Sequence, residues 1–173
     1  MPFGVQLDLD AHGQATLDAL ADRLASIRDL ELVRQIGDVH HLSLGIYEEL
    51  PVELLVPRVK AFAQTLAPID IRIAHLGIFP GGVLFLGVVV TPGLLELHRR
   101  FHAVFAPFSR FCWQHYHPGD WVPHITIAMN AKRAALEKAV GMTLQHWNLP
   151  GARLDTLRLI EFRPVRTLVR YPL

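Results

Sequence analysis

The tetrapeptide "HLSL", residues 41–44, lies inside the run "DVHHLSLGIY" at residues 38–47. Its order is histidine, apolar residue, hydroxyl residue, apolar residue, within a run that is apolar enough to form a buried strand. Successive side chains of a strand point to opposite faces, so His41 and Ser43 share one face, about 6.6 Å apart, and the leucines take the other. The stretch predicts a polar pair on an apolar strand, and His40, which must point to the opposite face, is interpreted as structural.

A second copy of this order, "HITI" at residues 124–127, stands 83 residues downstream. The chain holds ten histidines, and two chance matches are expected in only about a few percent of shuffled sequences of this composition. The same offset relates Ile71 to Leu154. Each half reads helix, histidine-bearing strand, helix and strand pair, which predicts a duplicated α+β unit with halves of approximately residues 1–90 and 91–173.

Hydrophobic periodicity and turn residues predict the remaining elements. In chain order they are a strand at residues 3–8, a helix at 15–27, the first histidine strand, a helix at 52–66, a hairpin turning at 80–82, a helix from Thr91, the second histidine strand, a helix at 131–140 and a strand pair at 152–162 and 166–173. Pro57 is expected to kink the second helix or shift its start. Asp8 and Asp10, alternate residues of the first strand, are interpreted as a solvated edge rather than a catalytic carboxylate pair.

Composition bounds the class of protein. The chain has 173 residues, of which 51% are hydrophobic and 19% charged, so one well-packed globular domain is expected. The formal net charge of +1 provides no bulk attraction to long nucleic acids. Cys112 is the only cysteine, which excludes an intrachain disulfide and a multi-cysteine metal site.

Two sequence features bear on the cellular location of the protein. The first ten, "MPFGVQLDLD", lack the basic and then apolar order of an export signal, and the longest apolar stretch is interrupted by "FPGG" and "TPG". We therefore expect a cytoplasmic protein without a membrane span, a monomer with no obligate protein partner.

Two His-x-[Ser/Thr]-x motifs on strands of a duplicated α+β chain of this size resemble the 2H phosphoesterase superfamily. Its branch of RNA 2',3'-cyclic phosphodiesterases, also called 2'-5' RNA ligase-like proteins, is the most similar. The resemblance covers nearly the whole chain, and "PHITIA", residues 123–128, is its most typical segment. It implies a LigT-like fold, one bilobal domain over residues 1–173, in which antiparallel sheets flank a central cleft and helices lie outside.

The resemblance also implies a function. The protein would hydrolyse a 2',3'-cyclic phosphate, at an RNA terminus or in a small cyclic nucleotide, with His41 and His124 as acid and base, Ser43 and Thr126 as phosphate-binding residues, and no metal or other cofactor. In-line displacement at phosphorus requires one group to accept a proton and another to donate one, and two imidazoles can divide these roles near neutral pH. Which histidine is the acid stays open, as does any ligase activity.

One departure from the family concerns substrate anchoring. Many relatives carry an arginine shortly after the second motif, whereas this chain continues with Met129 and Asn130. Arg110, Lys132 and Arg133 are the alternatives that the sequence offers.

The loop "FCWQHYHPGDW", residues 111–121, is aromatic and leads into the second motif. Trp121 and Tyr116 are candidates for stacking on a nucleobase, although packing is the commoner role of such residues. His98 and His102 lie four residues apart on a predicted helix, where a solvated face is favoured over a metal site.

Two other readings of the sequence remain open. The first is a catalytically inactive nucleotide- or RNA-binding module that uses the same cleft. The second is an unrelated α+β protein in which the two motifs are ordinary core strands.

Overall fold

The computed structural model of the chain describes residues 1–48, 50–148, 151–162 and 164–173. The strands are β1 (Phe3–Leu9), β2 (Glu31–Leu32), β3 (His41–Tyr47), β4 (Ile69–Ile71), β5 (Ile73–Phe79), β6 (Val83–Val88), β7 (His124–Met129), β8 (Ala152–Glu161) and β9 (Arg166–Pro172). The α-helices are α1 (Ala11–Leu24), α2 (Val52–Ala63), α3 (Pro92–Val104) and α4 (Arg133–Gln145). The α+β class and the predicted order of elements are confirmed.

Local chemistry explains where two of the helices begin. Asp10 caps α1 by accepting a hydrogen bond from the Gly13 amide at 2.9 Å, so the helix starts four residues before the predicted start. Thr91 caps α3 in the same way, as predicted. Pro57 lies inside α2, and the helix continues through it.

The described strands form one sheet in the order β4-β8-β1-β3-β7-β6-β5, with β9 also paired to β8 and β2 to β7. Neighbouring strands run antiparallel. The two motif strands, β3 and β7, meet in the middle of the sheet through a single residue pair, Leu42 and Ile125. The sheet is therefore joined at its centre by one narrow contact, with four strands of the main path on one side and three on the other.

The order of elements recurs along the chain, and the two runs exchange a strand in the sheet. The order strand, helix, motif strand, helix, strand runs once from β1 to β5 and again from β6 to β8. The last strand of each run joins the other motif, since β8 pairs with β1 beside β3, and β5 pairs with β6 beside β7. The second run begins at β6, just after the 80–82 turn.

The two faces of the sheet differ in chemistry. The aliphatic residues of the central strands, such as Leu44 and Ile127, pack with the helices in the core. The residues of the two motifs that alternate with them, His41, Ser43, His124 and Thr126, are polar and lie on the opposite face. In the described ranges, no helix combines the length and the apolarity that a membrane crossing requires.

Candidate active site

The register of the motif strands brings their four polar residues together on one face. The pair Leu42 and Ile125, continued by one residue in each direction, sets His41 opposite Thr126 and Ser43 opposite His124. Diagonal neighbours in an antiparallel pair lie roughly 7–8 Å apart. A charge on His124 also influences the pKa of His41, which agrees with such proximity. The two imidazoles therefore flank a space on the polar face of the sheet.

The two imidazoles are held in the same way. Nδ1 of His41 lies 2.7 Å from the carbonyl oxygen of Val39, and Nδ1 of His124 lies 2.7 Å from that of Val122. A carbonyl oxygen only accepts hydrogen bonds, so each Nδ1 carries a proton and donates it. In the neutral state each Nε2 then carries no proton and can accept one, which suits proton transfer at that atom.

Gln6 breaks the symmetry at the first motif. Its amide Nε2 lies 2.9 Å from Nε2 of His41. The orientation of this amide follows from its other partners, because Gln6 Oε1 accepts from the Arg158 guanidinium at 3.0 Å and Nε2 faces Asp38 at 3.4 Å. Gln6 consequently donates to His41, whose Nε2 must accept, so the contact favours the neutral imidazole.

A buried ionic network supports Gln6 and His41. Arg158 lies on β8, its Nε within 2.9–3.0 Å of both carboxylate oxygens of Asp8, and it donates to Asp38 at 2.5 Å. Burial raises the pKa of Asp8 to about 6, although Arg158 opposes the rise. Burial would also raise the pKa of Asp38, but the charges of His41 and Arg158 outweigh it and lower that pKa.

Two interpretations of acidic residues are corrected by these contacts. Asp8 is fully buried rather than part of a solvated edge, because its ion pair with Arg158 compensates its charge inside the protein. Asp10 is the helix cap described above.

Aromatic rings surround the second motif instead of charges. The ring of Phe79 meets the imidazole of His124 nearly at right angles, with 4.9 Å between ring centres, and that of Phe85 lies at 5.4 Å. Burial lowers the pKa of His124 and of His41, and only for His41 does a carboxylate, Asp38, oppose the shift. The paired histidines are equal in sequence but lie in unlike environments.

The cations offered as substitutes for the family's arginine have other partners. Lys132 pairs with Asp29 and Arg133 with Glu137, all of them exposed, and Arg110 covers the ring of Phe111. The structure therefore gives none of these three a contact with the motif residues.

Asn130 also turns away from the motifs and bonds Glu31. Arg170 of β9 is the exposed cation near the buried network, with its guanidinium 3.9 Å from Asp8. Arg170 is far from the second motif in sequence, so the search for a cation near that motif did not find it.

One residue of the aromatic loop lies next to the first motif. Burial raises the pKa of the Tyr116 hydroxyl to about 12, and the neighbouring Ser43 hydroxyl partly offsets this rise, so Tyr116 lies beside the first motif. Trp121 lies in the core, where its ring stacks on His98 at 3.8 Å and its N–H donates to the Ser43 carbonyl. Trp121 therefore packs in the core and is not part of the proposed site.

The expected solvated face of α3 is wrong for His98. This side chain is 2% exposed, with Nε2 3.2 Å from the Leu44 carbonyl and 3.1 Å from Nε2 of His102. The ring of Trp121 covers it, which sequence spacing on the helix did not indicate. Within the described ranges, no group of three or more His, Cys, Asp or Glu side chains has the arrangement of a metal site.

Sequence reasoning missed Gln6, Asp38 and Arg158. For Gln6 and Arg158 the partial signal is a polar residue between apolar residues of a strand, as in "VQLDL" at residues 5–9 and "LRL" at residues 157–159. That signal shows a shared face but does not show which strands become neighbours.

The comparison with protein families decides the membership of the chain. The family model described as the 2'-5' RNA ligase superfamily matches residues 40–165, which include both motifs. The chain belongs to the 2'-5' RNA ligase superfamily. The expected 2H phosphoesterase relationship is confirmed, and membership supports a phosphoesterase enzyme. No curated protein matches the sequence significantly.

Solved structures share the fold of this 2'-5' RNA ligase superfamily member. The protein TT0787 of Thermus thermophilus has a TM-score of 0.69 and 21% identity over 100% of this chain and 98% of its own. E. coli LigT complexed with 3'-AMP has a TM-score of 0.66 and 18% identity, covering 100% and 99%. LigT complexed with NADP+ has a TM-score of 0.63 and 18% identity over 99% of this chain and 93% of its own. The LigT-like fold class is thereby confirmed.

Proposed function

We propose that the protein hydrolyses 2',3'-cyclic phosphates, at RNA ends or in small cyclic nucleotides, with His41 and His124 as the acid and base pair and no metal. The observation that carries the proposal is the matched anchoring of the two imidazoles. Each Nδ1–H is held at 2.7 Å by the carbonyl two residues earlier, so each Nε2 is directed from the polar face. Two such groups supply both proton transfers of the reaction.

The proton balance of the hydrolysis uses both Nε2 atoms. One neutral imidazole takes a proton from water as the water oxygen bonds to phosphorus. The other, protonated, gives its proton to the 2' or 3' oxygen as the ring P–O bond breaks. The first histidine ends protonated and the second neutral, and exchange with solvent restores them. Positioned proton transfer contributes typically about 10²–10⁴-fold to the rate.

The hydroxyls of Ser43 and Thr126 would stabilise the phosphate. Their strand positions place them opposite His124 and His41, so each histidine has a hydroxyl donor across the strand pair. Donors aimed at non-bridging oxygens stabilise charge that develops during displacement. E. coli LigT has been solved in complex with 3'-AMP and with NADP+. A nucleotide-sized substrate also agrees with the nearly neutral net charge of this chain.

Separate His41→Ala and His124→Ala variants test the proposal. Each should lower kcat for adenosine 2',3'-cyclic monophosphate by ~10²–10⁴-fold, because one proton transfer is lost. His12→Ala, a change at an exposed residue of α1, is the matched control. Product analysis by chromatography, with and without EDTA, is the measurement.

Two results would contradict the proposal. Full activity of either folded motif variant would remove that histidine from the reaction. Loss of turnover in EDTA would require a metal. Nucleotide binding without turnover of any cyclic phosphate would instead support the inactive binding module.

A further inference from the structure

A surface of aromatic rings adjoins His124 on strands β5 and β6. Gly87 of β6 pairs with His124, and His75 of β5 pairs with Gly87. A Cβ atom on Gly87 would lie 2.0 Å from Nε2 of His75. The imidazole of His75 therefore occupies the place of the missing Gly87 side chain, on the same face as His124 and next to it.

The next row of the sheet repeats this arrangement. Phe85 of β6 pairs with Thr126 on one side and with Gly77 on the other. A Cβ on Gly77 would lie 2.2 Å from the Phe85 ring, so that ring lies over the glycine backbone. Phe79 stacks on Phe85 with 4.1 Å between ring centres. We call His75, Phe79 and Phe85 the aromatic floor.

The aromatic floor is open on its outer side. Phe85 is 5% exposed and forms the lower layer, whereas His75 is exposed and Phe79 is half-buried. The rings contact one another edge-on or stacked, as in the 6.4 Å edge contact of His75 with Phe85. An accessible apolar surface of this kind, beside the motif histidine His124, is suited to a flat aromatic ligand.

The equivalent positions on the other side of the site carry charges instead. Asp8 pairs with His41 as Gly87 pairs with His124, and Gln6 pairs with Ser43 as Phe85 pairs with Thr126. One strand further from the first motif, Arg158 of β8 pairs with Gln6. On the other side, the corresponding position next to Phe85 is held by Gly77 of β5. The motifs are thus symmetric, but their flanks differ, being ionic and filled beside β3 but aromatic and open beside β7.

We propose that the aromatic floor is the nucleobase subsite, so that a bound nucleotide lies with its base over β5 and β6 and its phosphate between the two motifs. The proposal rests on the proposed function for the place of the phosphate. Stacking is tolerant of base identity because every base has a π-face. The two glycines serve the subsite by letting rings lie against the backbone, and the filled ionic network leaves the opposite flank without a comparable surface.

Equilibrium binding tests the subsite without requiring turnover. Adenosine 2'-monophosphate and inorganic phosphate are titrated into the wild-type protein and into the Phe79→Leu and His75→Ala variants. For each protein, the Kd of the nucleotide is divided by the Kd of inorganic phosphate. This Kd ratio should be roughly 5- to 100-fold higher in each variant than in the wild-type protein. Upfield shifts of the adenine protons in NMR spectra should accompany binding and diminish in both variants. Phe111→Leu removes a half-buried ring outside the floor and is the matched control.

The outcomes separate this inference from the proposed function. Unchanged Kd ratios in both folded variants would overturn the subsite, even if cyclic phosphates are hydrolysed. Preferential loss of nucleotide binding would support it, even if no cyclic phosphate is turned over. A similar ratio change in Phe111→Leu would also overturn it, since the effect would not belong to the floor. Because His75 is exposed, its alanine variant is expected to fold and keeps the test decisive.

Discussion

The two motif histidines are anchored by hydrogen bonds of the same kind at Nδ1, but their surroundings at Nε2 differ. For His41, the amide of Gln6 faces this atom at 2.9 Å, and Arg158 fixes the orientation of the amide. The charges around His41 come from every neighbouring element, namely Asp38 before β3, Asp8 on β1, Arg158 on β8, Arg170 on β9 and His124 on β7. His124 has no corresponding donor among the described residues. Gln6 is therefore a positioning residue for one histidine only.

A Gln6→Met variant tests this contact. Removing a donor that faces the lone pair destabilises the neutral imidazole, so the pKa of His41 should rise. A neutral hydrogen bond of about 0.5–1.5 kcal/mol corresponds to roughly half to one pKa unit. NMR titration of the imidazole nitrogens measures this pKa and reports which nitrogen carries the proton.

The pKa of His124 in the same spectra is the internal control for the Gln6→Met variant, and it should move much less. An unchanged pKa of His41 in a folded variant, or a proton on Nε2 of wild-type His41 at neutral pH, would show that Gln6 does not hold the neutral form.

Among the elements, the hairpin of β5 and β6 carries the aromatic floor and is docked at its turn. Gly81 and Gly82 both have positive φ, as predicted for this turn. The Gly82 carbonyl accepts a hydrogen bond from the Ala131 amide at 3.0 Å, just after β7. The turn therefore ties the hairpin to the chain that follows the second motif.

The two glycines of the turn provide a matched pair of variants. Gly81→Ala meets no atom within 4 Å and should cost about 1–2 kcal/mol of unfolding free energy, from positive φ alone. In Gly82→Ala the new Cβ would lie 2.2 Å from the Ala131 carbonyl oxygen, so we expect a loss roughly 1–3 kcal/mol larger. Urea unfolding measures both values. Equal losses would show that the turn is not packed against Ala131.

For the molecule as a whole, buried histidines link stability to pH. Burial, with a smaller contribution from a charge on His102, lowers the pKa of His98 to about 4. Burial also lowers the pKa values of His40, His41 and His124. A histidine whose pKa is lowered by folding binds protons more readily in the unfolded chain. The folded protein therefore loses stability as pH falls below about 6.5. Asp8 acts in the opposite sense, since its raised pKa reduces stability as pH rises through about 6.

We expect the free energy of unfolding to fall between pH 7.5 and 5, with His98 alone accounting for about 2 kcal/mol. In a His98→Gln variant this pH-dependent difference should shrink by about that amount, although the variant is less stable at both pH values. Urea unfolding at the two pH values is the measurement, and the exposed His12→Gln change is the control. A His98→Gln variant that keeps the full difference would contradict the assignment.

Local patterns were sufficient for the α+β class, the order of the main elements, the Thr91 cap of α3 and the face shared by histidine and hydroxyl in each motif. These features depend on periodicity and on side chains a few residues apart, which the sequence shows directly. The same reasoning failed for Asp8 and for His98, because their burial depends on Arg158 and on Trp121, which are distant in sequence.

By itself, the sequence determined the two motifs, their common spacing and the resemblance to a family of known fold. The strand order, in which β1 and β8 flank the first motif while β6 and β5 flank the second, became apparent from the folded sheet. That exchange of strands brings Arg158 of β8 to the side of the first motif and Phe79 of β5 to the side of the second. The physical reason is that cross-strand partners are set by long-range register and packing in the folded sheet, to which residues more than a hundred positions apart contribute.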